Sequence, residues 1–256
     1  MSNDNTASGY PHPPIEEALV DFHFLPGPEW DLTLPGKLHG HPAIRDAYPG
    51  KPRQQLIYGA ALQPRVQQPH SVEMRPSLGR VQLVNADGTR LVTLAPDALS
   101  VNVLRPYDGW LAFRPRVETT LRAYWEVAAP EAVMRIGVRY INRIVIADPS
   151  ASAHTYSHCA PPPVPGLPER TDEFTSRVVY GYEDGVKLIL TQATLAPQDG
   201  VRALLIDLDM VWEAAAPEAG LTLDEVMGTV DRLHEREGLA FEATITAEAR
   251  EVFHAG

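Results

Sequence analysis

Residues 132–147 read AVMRIGVRYINRIVIA, and the alternation inside that stretch decides the fold class. Successive side chains of a strand point to opposite faces. Ile136, Val138, Tyr140 and Ile144 therefore share one face, while Arg135, Arg139 and Arg143 share the other. The first set belongs against a core and the second does not. A long strand buried on one side only is typical of an antiparallel sheet, not of a doubly wound parallel one.

The same pattern recurs on either side. In Ile15 to Phe24 (IEEALVDFHF), Ala18, Val20, Phe22 and Phe24 alternate with Glu17, Asp21 and His23. In Val201 to Trp212 (VRALLIDLDMVW), Leu204, Ile206, Leu208, Met210 and Trp212 alternate with Asp207 and Asp209. Shorter strands are read at Arg53 to Gln63, Ser71 to Arg75 and Ala98 to Leu104. Asp87-Gly88 joins Arg80–Val84 to Arg90–Leu94 as a hairpin, and Glu183-Asp-Gly185 joins Thr175–Tyr182 to Val186–Leu195 as another. Helices are predicted at Pro115 to Ala129, with the proline first, and at Leu223 to about Ala243, opened by the capping-box pair Thr222 and Glu225. A short last helix begins at Thr246. The order strand, hairpin strands, helix appears twice without any sequence repeat. The expectation is an α+β fold, a large, curved, mainly antiparallel sheet packed with two or three helices, with a barrel-like closure left open.

Residues 1–9 form a polar leader, expected to be mobile, and residues 10–256 are read as a single α+β domain. The stretch from Asp148 to Asp172 holds six prolines, which exclude a helix or an interior strand. It reads as a long surface connection within that domain.

The chain has 256 residues, 33 Asp and Glu against 22 Lys and Arg, and a formal net charge of -11. That balance disfavours nucleic acid and anionic membrane as partners, since both demand a basic face. The stretch from Arg105 to Arg143, with seven arginines against four acids, is the one local exception. One cysteine excludes a disulfide framework, and the lack of a long apolar run argues against a membrane span. A cytoplasmic protein is expected. No P-loop, strand-linked G-x-G-x-x-G, G-x-S-x-G or H-E-x-x-H is present.

The candidate chemistry lies on the strand faces. Arg135, Arg139 and Arg143 stand about 13 Å apart in succession at strand rise and offer planar forks for carboxylate or phosphate. Glu17 and Asp21 make an acidic row, and Asp207 with Asp209 could hold a magnesium ion. The arginines could instead pair with acids of a covering helix in the acidic stretch from Glu213 on, and Asp207 and Asp209 could equally pair with arginines on a neighbouring strand. If the sheet closed, such rows would line it in a way that resembles the triphosphate-tunnel enzymes, although the row Glu17, Leu19, Asp21, His23 lacks the lysine of that family's opening motif. His154, His158 and Cys159 are read as loop residues, and His39 and His41 as exposed in a Gly/Pro setting, none of them as ligands. His234 is read as solvated, and Tyr107, Trp110 and Phe113 as core.

Tyr10-Pro-His-Pro-Pro-Ile-Glu-Glu-Ala18 and Arg135-Ile-Gly-Val-Arg-Tyr-Ile-Asn-Arg-Ile144, with the Thr-led ending from Phe241 to Phe253, resemble a sporadically distributed bacterial family of unknown function. The resemblance implies a single folded unit and a setting among accessory genes of mobile or defence type. It carries over no catalytic residue. Two functional readings follow. One is a binding or interaction protein that self-associates or holds a protein partner. The other is a metal-assisted enzyme or sensor for a small phosphorylated anion, with Arg135, Arg139, Arg143, Glu17 and Asp21 on the ligand and Asp207 and Asp209 on magnesium.

Overall fold

The alternation of residues 15–24 becomes strand β1 (Ile15–Phe24), with Ala18, Val20, Phe22 and Phe24 buried. Two short helices follow, α1 (Leu34–Gly40) and α2 (Pro42–Arg45). Next comes a four-strand run, β2 (Arg53–Leu62), β3 (Val72–Val84), β4 (Arg90–Ala95) and β5 (Ala98–Leu104), then helix α3 (Trp110–Ala128). The second half repeats the plan with β6 (Val133–Ile146), β7 (Thr175–Gly181), β8 (Lys187–Gln198), β9 (Val201–Glu213), α4 (Leu223–Thr244) and α5 (Ala247–Ala255). This computed structural model describes residues 9–27, 30–62, 72–146, 148, 150–162, 164–168, 172–198, 200–216 and 220–255. Of the expected leader, residues 1–9, all but Gly9 lie outside them, as do Gln63, Ser71, Pro149 and Pro163.

All nine strands join one antiparallel sheet in the order β2-β3-β4-β5-β1-β6-β9-β8-β7. In each half the last strand returns to pair with the first, β5 with β1 and β9 with β6. The halves meet where β1 pairs with β6, with Val20 opposite Val138. The sheet does not close: β2 and β7 are its two edges. A barrel would need those edges to meet, and both hairpin runs lead away from the centre instead.

The described residues form five α-helices, more than the two or three expected. α1 and α2 are too short for periodicity to reveal, and Leu34, Leu38 and Ile44 fix them to the core. α3 starts at Trp110, five residues before the predicted proline start, with Pro115 inside the helix. Buried Phe113, and Trp110 stacked on His234 at 3.9 Å, hold that extra turn. Pro115 leaves the Leu111 carbonyl without a helical donor, and Leu111 is 85% exposed, so water can serve it. α4 carries the predicted capping box between Thr222 and Glu225.

α3 and α4 cover the apolar face together. The Arg114 guanidinium donates to both carboxylate oxygens of Asp231 at 2.7 and 2.8 Å, tying one helix to the other. A single apolar cluster runs from Phe22 and Val101 through Val138 to Leu208, Val230 and Phe241. The proline-rich connection touches the second half, where the Ser157 backbone bridges Ile245 and His158 N–H donates to Thr244 O. No helix among the described residues is long and apolar enough to cross a membrane.

Candidate functional site

Cross-strand register places the residues of the polar face. Asp21 on β1 lies opposite Gly137 on β6, Arg135 lies between His23 and Glu213, and Arg139 lies between Leu19 and Asp209. Long guanidinium groups reach the diagonal neighbours. Arg139 donates from Nε and Nη2 to the two oxygens of Asp207 at 2.7 and 2.6 Å, a parallel fork. Arg135 donates from Nη1 to Asp21 and from Nη2 to Asp209, the latter at 3.2 Å. Its directly opposed acid, Glu213, is taken by Lys187 at 2.6 Å. His23 Nε2 lies 3.1 Å from Asp21 Oδ2, and Glu17 accepts from Asn102 Nδ2 at 2.6 Å.

Gly137 makes this row possible. A Cβ there would sit 2.0 Å from Asp21 Oδ1, so a side chain and the Asp21–Arg135 pair cannot share the space. Burial pushes the Asp209 carboxyl up to about 6, and its Oδ1 has no hydrogen-bond partner among the described residues. Asp207 holds the Arg139 guanidinium above its ordinary range. Asp207 and Asp209 thus spend their oxygens mainly on arginines, and no group of three metal-ligating side chains occurs among the described residues. A magnesium ion at this pair would have to displace a bidentate guanidinium.

The third arginine differs from the other two. Arg143 has no side-chain hydrogen bond or ion pair among the described residues. It lies where β6 outruns the start of β1, and its backbone N–H donates to Pro14 O at 2.8 Å. There it borders a cleft of about 690 Å³ lined by residues 11–15, 105–107, 143–145, Val252 and Phe253. The sequence reading missed His12 and Arg105 on this cleft. Their signal was the proline-rich setting of each, Pro11-His-Pro13 and Arg105-Pro106.

Behind the cleft wall runs a buried polar chain. Tyr107 Oη and Tyr140 Oη are 3.0 Å apart, and Tyr140 Oη is 3.1 Å from His234 Nδ1. His234 is buried, not solvated as expected, and desolvation lowers its pKa to about 4. Glu237 is 1% exposed with Oε1 unpartnered among the described residues, and burial holds its carboxyl well above the usual range. Both fall on the apolar stripe of α4, four and seven residues after Val230, so the helical period held the signal. His39 and His41 contact Tyr48 O and Glu126, each at 3.0 Å. His154 contacts Pro161 O.

The β7 edge is the last feature of note. Its burial is low on both faces, with Val178, Val179 and Tyr180 between 43% and 49% exposed. No protein-family model matches this chain, and no curated protein matches it either.

Proposed function

We propose that this chain is a binding protein of the bacterial cytoplasm that works as an assembly, a second copy adding its β7 to the free edge of β7. The observation that carries the reading is the exposed Val178-Val179-Tyr180 run on a strand with no second neighbour among the described residues. Edge strands are ordinarily blunted by lysine, proline or inward charge, because an unpaired ladder recruits another strand. β7 has none of these apart from Arg177, whereas the opposite edge begins with exposed Arg53, Gln54 and Gln55.

Antiparallel self-pairing centred on Val179 brings matched chemistry together. Val178 then faces Tyr180 of the second copy on one side of the sheet, and the two Val179 side chains meet on the other. Arg177 lies opposite Gly181, so no like charges oppose each other. Such pairing is two-fold symmetric and closes after two copies. The edge is braced for it: Arg236 on α4 pairs with Asp184 at 2.7 Å and sits 5.1 Å over the Tyr182 ring, fixing the β7–β8 turn.

A single cysteine suits a reducing compartment, and the resemblance to a sporadic bacterial family suits an accessory protein of a mobile or defence-type gene cluster. Sedimentation velocity at micromolar concentration tests the assembly. The expected result is a dimer that Val179→Lys converts to a monomer. A monomeric parent chain that also brings down no stoichiometric partner overturns the reading.

A further inference from the structure

We propose that the cleft beside Arg143 is a binding site for an amphipathic anion, a single carboxylate or phosphate head on an apolar body. The lining supplies both halves of that chemistry. Arg143 and Arg105 stand on its walls with His12, and no acidic residue among the described ones lines it, although acids outnumber bases by 33 to 22 over the chain. Arg135 and Arg139, on the same face of the same strand, are consumed by Asp21, Asp209 and Asp207. Arg143 is not, so its five donors remain for a ligand. Among the described residues Arg105 is held by one exposed contact to Glu16 at 3.1 Å, a weak competitor for an incoming anion.

The rest of the lining is apolar, with Ile15, Tyr107 and Phe253 beneath the arginines. An inorganic ion would leave that part empty, which is why the body of the ligand is apolar. A volume near 690 Å³ falls in the usual range for small-molecule sites. The walls are also set before any ligand arrives. His12 N–H donates to Phe253 O at 3.0 Å, Arg143 N–H to Pro14 O at 2.8 Å, and Arg105 N–H to Glu16 O at 2.9 Å. Three main-chain bonds thus lock the leading segment, β6 and α5 around one opening, and Pro11, Pro13 and Pro14 restrict the segment further.

The test uses the full chain with 1-anilinonaphthalene-8-sulfonate as a fluorescent probe and decanoate as competitor. Saturable probe binding is expected, displaced by decanoate and not by decanol or inorganic phosphate. Arg143→Met should weaken binding by about tenfold or more, the loss of one charge-assisted contact. Arg122→Met, on the exposed side of α3 against Glu118, should leave it unchanged. Should Arg143→Met fail to fold, Arg105→Met is expected to weaken binding in the same direction. Equal binding of decanol overturns the anion half of the proposal, and equal displacement by phosphate overturns the apolar half. Unchanged binding in both arginine variants overturns the site.

Discussion

Arg139 holds Asp207 through both carboxylate oxygens, at 2.7 and 2.6 Å, across the boundary between β6 and β9. Asp207 is buried, so the pair is no rim ornament. Removing one partner leaves a buried charge, which typically destabilises by about 3–5 kcal/mol, whereas replacing both with apolar groups is often neutral. Arg139→Ala should therefore lower the melting temperature sharply, and Arg139→Met with Asp207→Leu should restore most of it. Thermal unfolding of the three proteins decides the matter. An unaffected Arg139→Ala would mean that water already screens Asp207.

Gly137 gives a steric version of the same argument. Its missing Cβ is the space that Asp21 Oδ1 occupies while bonded to Arg135. Gly137→Ala should push Asp21 off the guanidinium and destabilise by about 1–3 kcal/mol, the usual penalty for overpacking. In an Asp21→Ala background the same change should be nearly silent, since its obstacle is gone. A double-mutant cycle in urea measures the coupling. Additive effects would show that Gly137 serves the strand for another reason.

Glu237 is a buried carboxyl with an unpartnered oxygen, and its pKa is raised. The folded chain therefore binds a proton more tightly than the unfolded chain. Stability from this group is fully present below the ordinary glutamate pKa of 4.5 and is lost as pH rises through the folded value. Glu237→Gln removes the titration while keeping the shape. It should stabilise the chain at pH 8, by about 1–3 kcal/mol if the orphaned oxygen carries the whole penalty, and the gain should vanish near pH 4. Melting curves at several pH values read it directly, and a variant that is less stable at pH 8 would contradict it.

Much of this architecture was legible because strands alternate with period two. The buried sets on β1 and β6 match the apolar sets read from residues 15–24 and 132–147, and on β9 Leu204, Ile206, Leu208 and Met210 are buried as read, whereas Trp212 is half-buried and Asp207 on the other face is buried. The turns were legible for a different reason: Gly88 and Gly185 have φ of 81 and 83°, where glycine is the natural occupant. α1 and α2 escaped because helices of seven and four residues show too few turns for a period. The start of α3 escaped because Phe113 and Trp110 packing outweighed the proline signal. The arginine row itself was visible, but alternation reports only a shared face. That two arginines find strand neighbours and the third does not depends on register, which joins residues 68 and 114 positions apart. His234 was misplaced by its charged neighbours Arg232, Glu235 and Arg236, although the helical period put it among Val230, Glu237 and Phe241.

His234 also sets the acid limit of the fold. It is buried against Trp110 and bonded to Tyr140, and its pKa falls from 6.5 to about 4. A depressed histidine contributes stability that is fully present above 6.5 and is lost as pH falls through the folded value. The loss amounts to about 3 kcal/mol by pH 4, at 1.36 kcal/mol per unit. Asp209, raised from 3.8 to about 6, works the other way over nearly the same range, stability increasing as it takes up its proton. The parent chain alone would therefore show a composite pH profile in which the histidine slope opposes those of Asp209 and Glu237. Comparison with His234→Phe isolates the histidine, because Asp209 and Glu237 are common to both proteins. Phe keeps the stacking surface for Trp110, and Tyr140 retains Tyr107 as partner. The variant should be less stable by about 1 kcal/mol at pH 7, for one lost hydrogen bond, and should overtake the parent between pH 6 and 4. Parallel urea titrations at half-unit steps give the crossing point. Two curves that keep a constant separation down to pH 4 would show that His234 titrates normally and that water reaches it behind the Tyr107 wall.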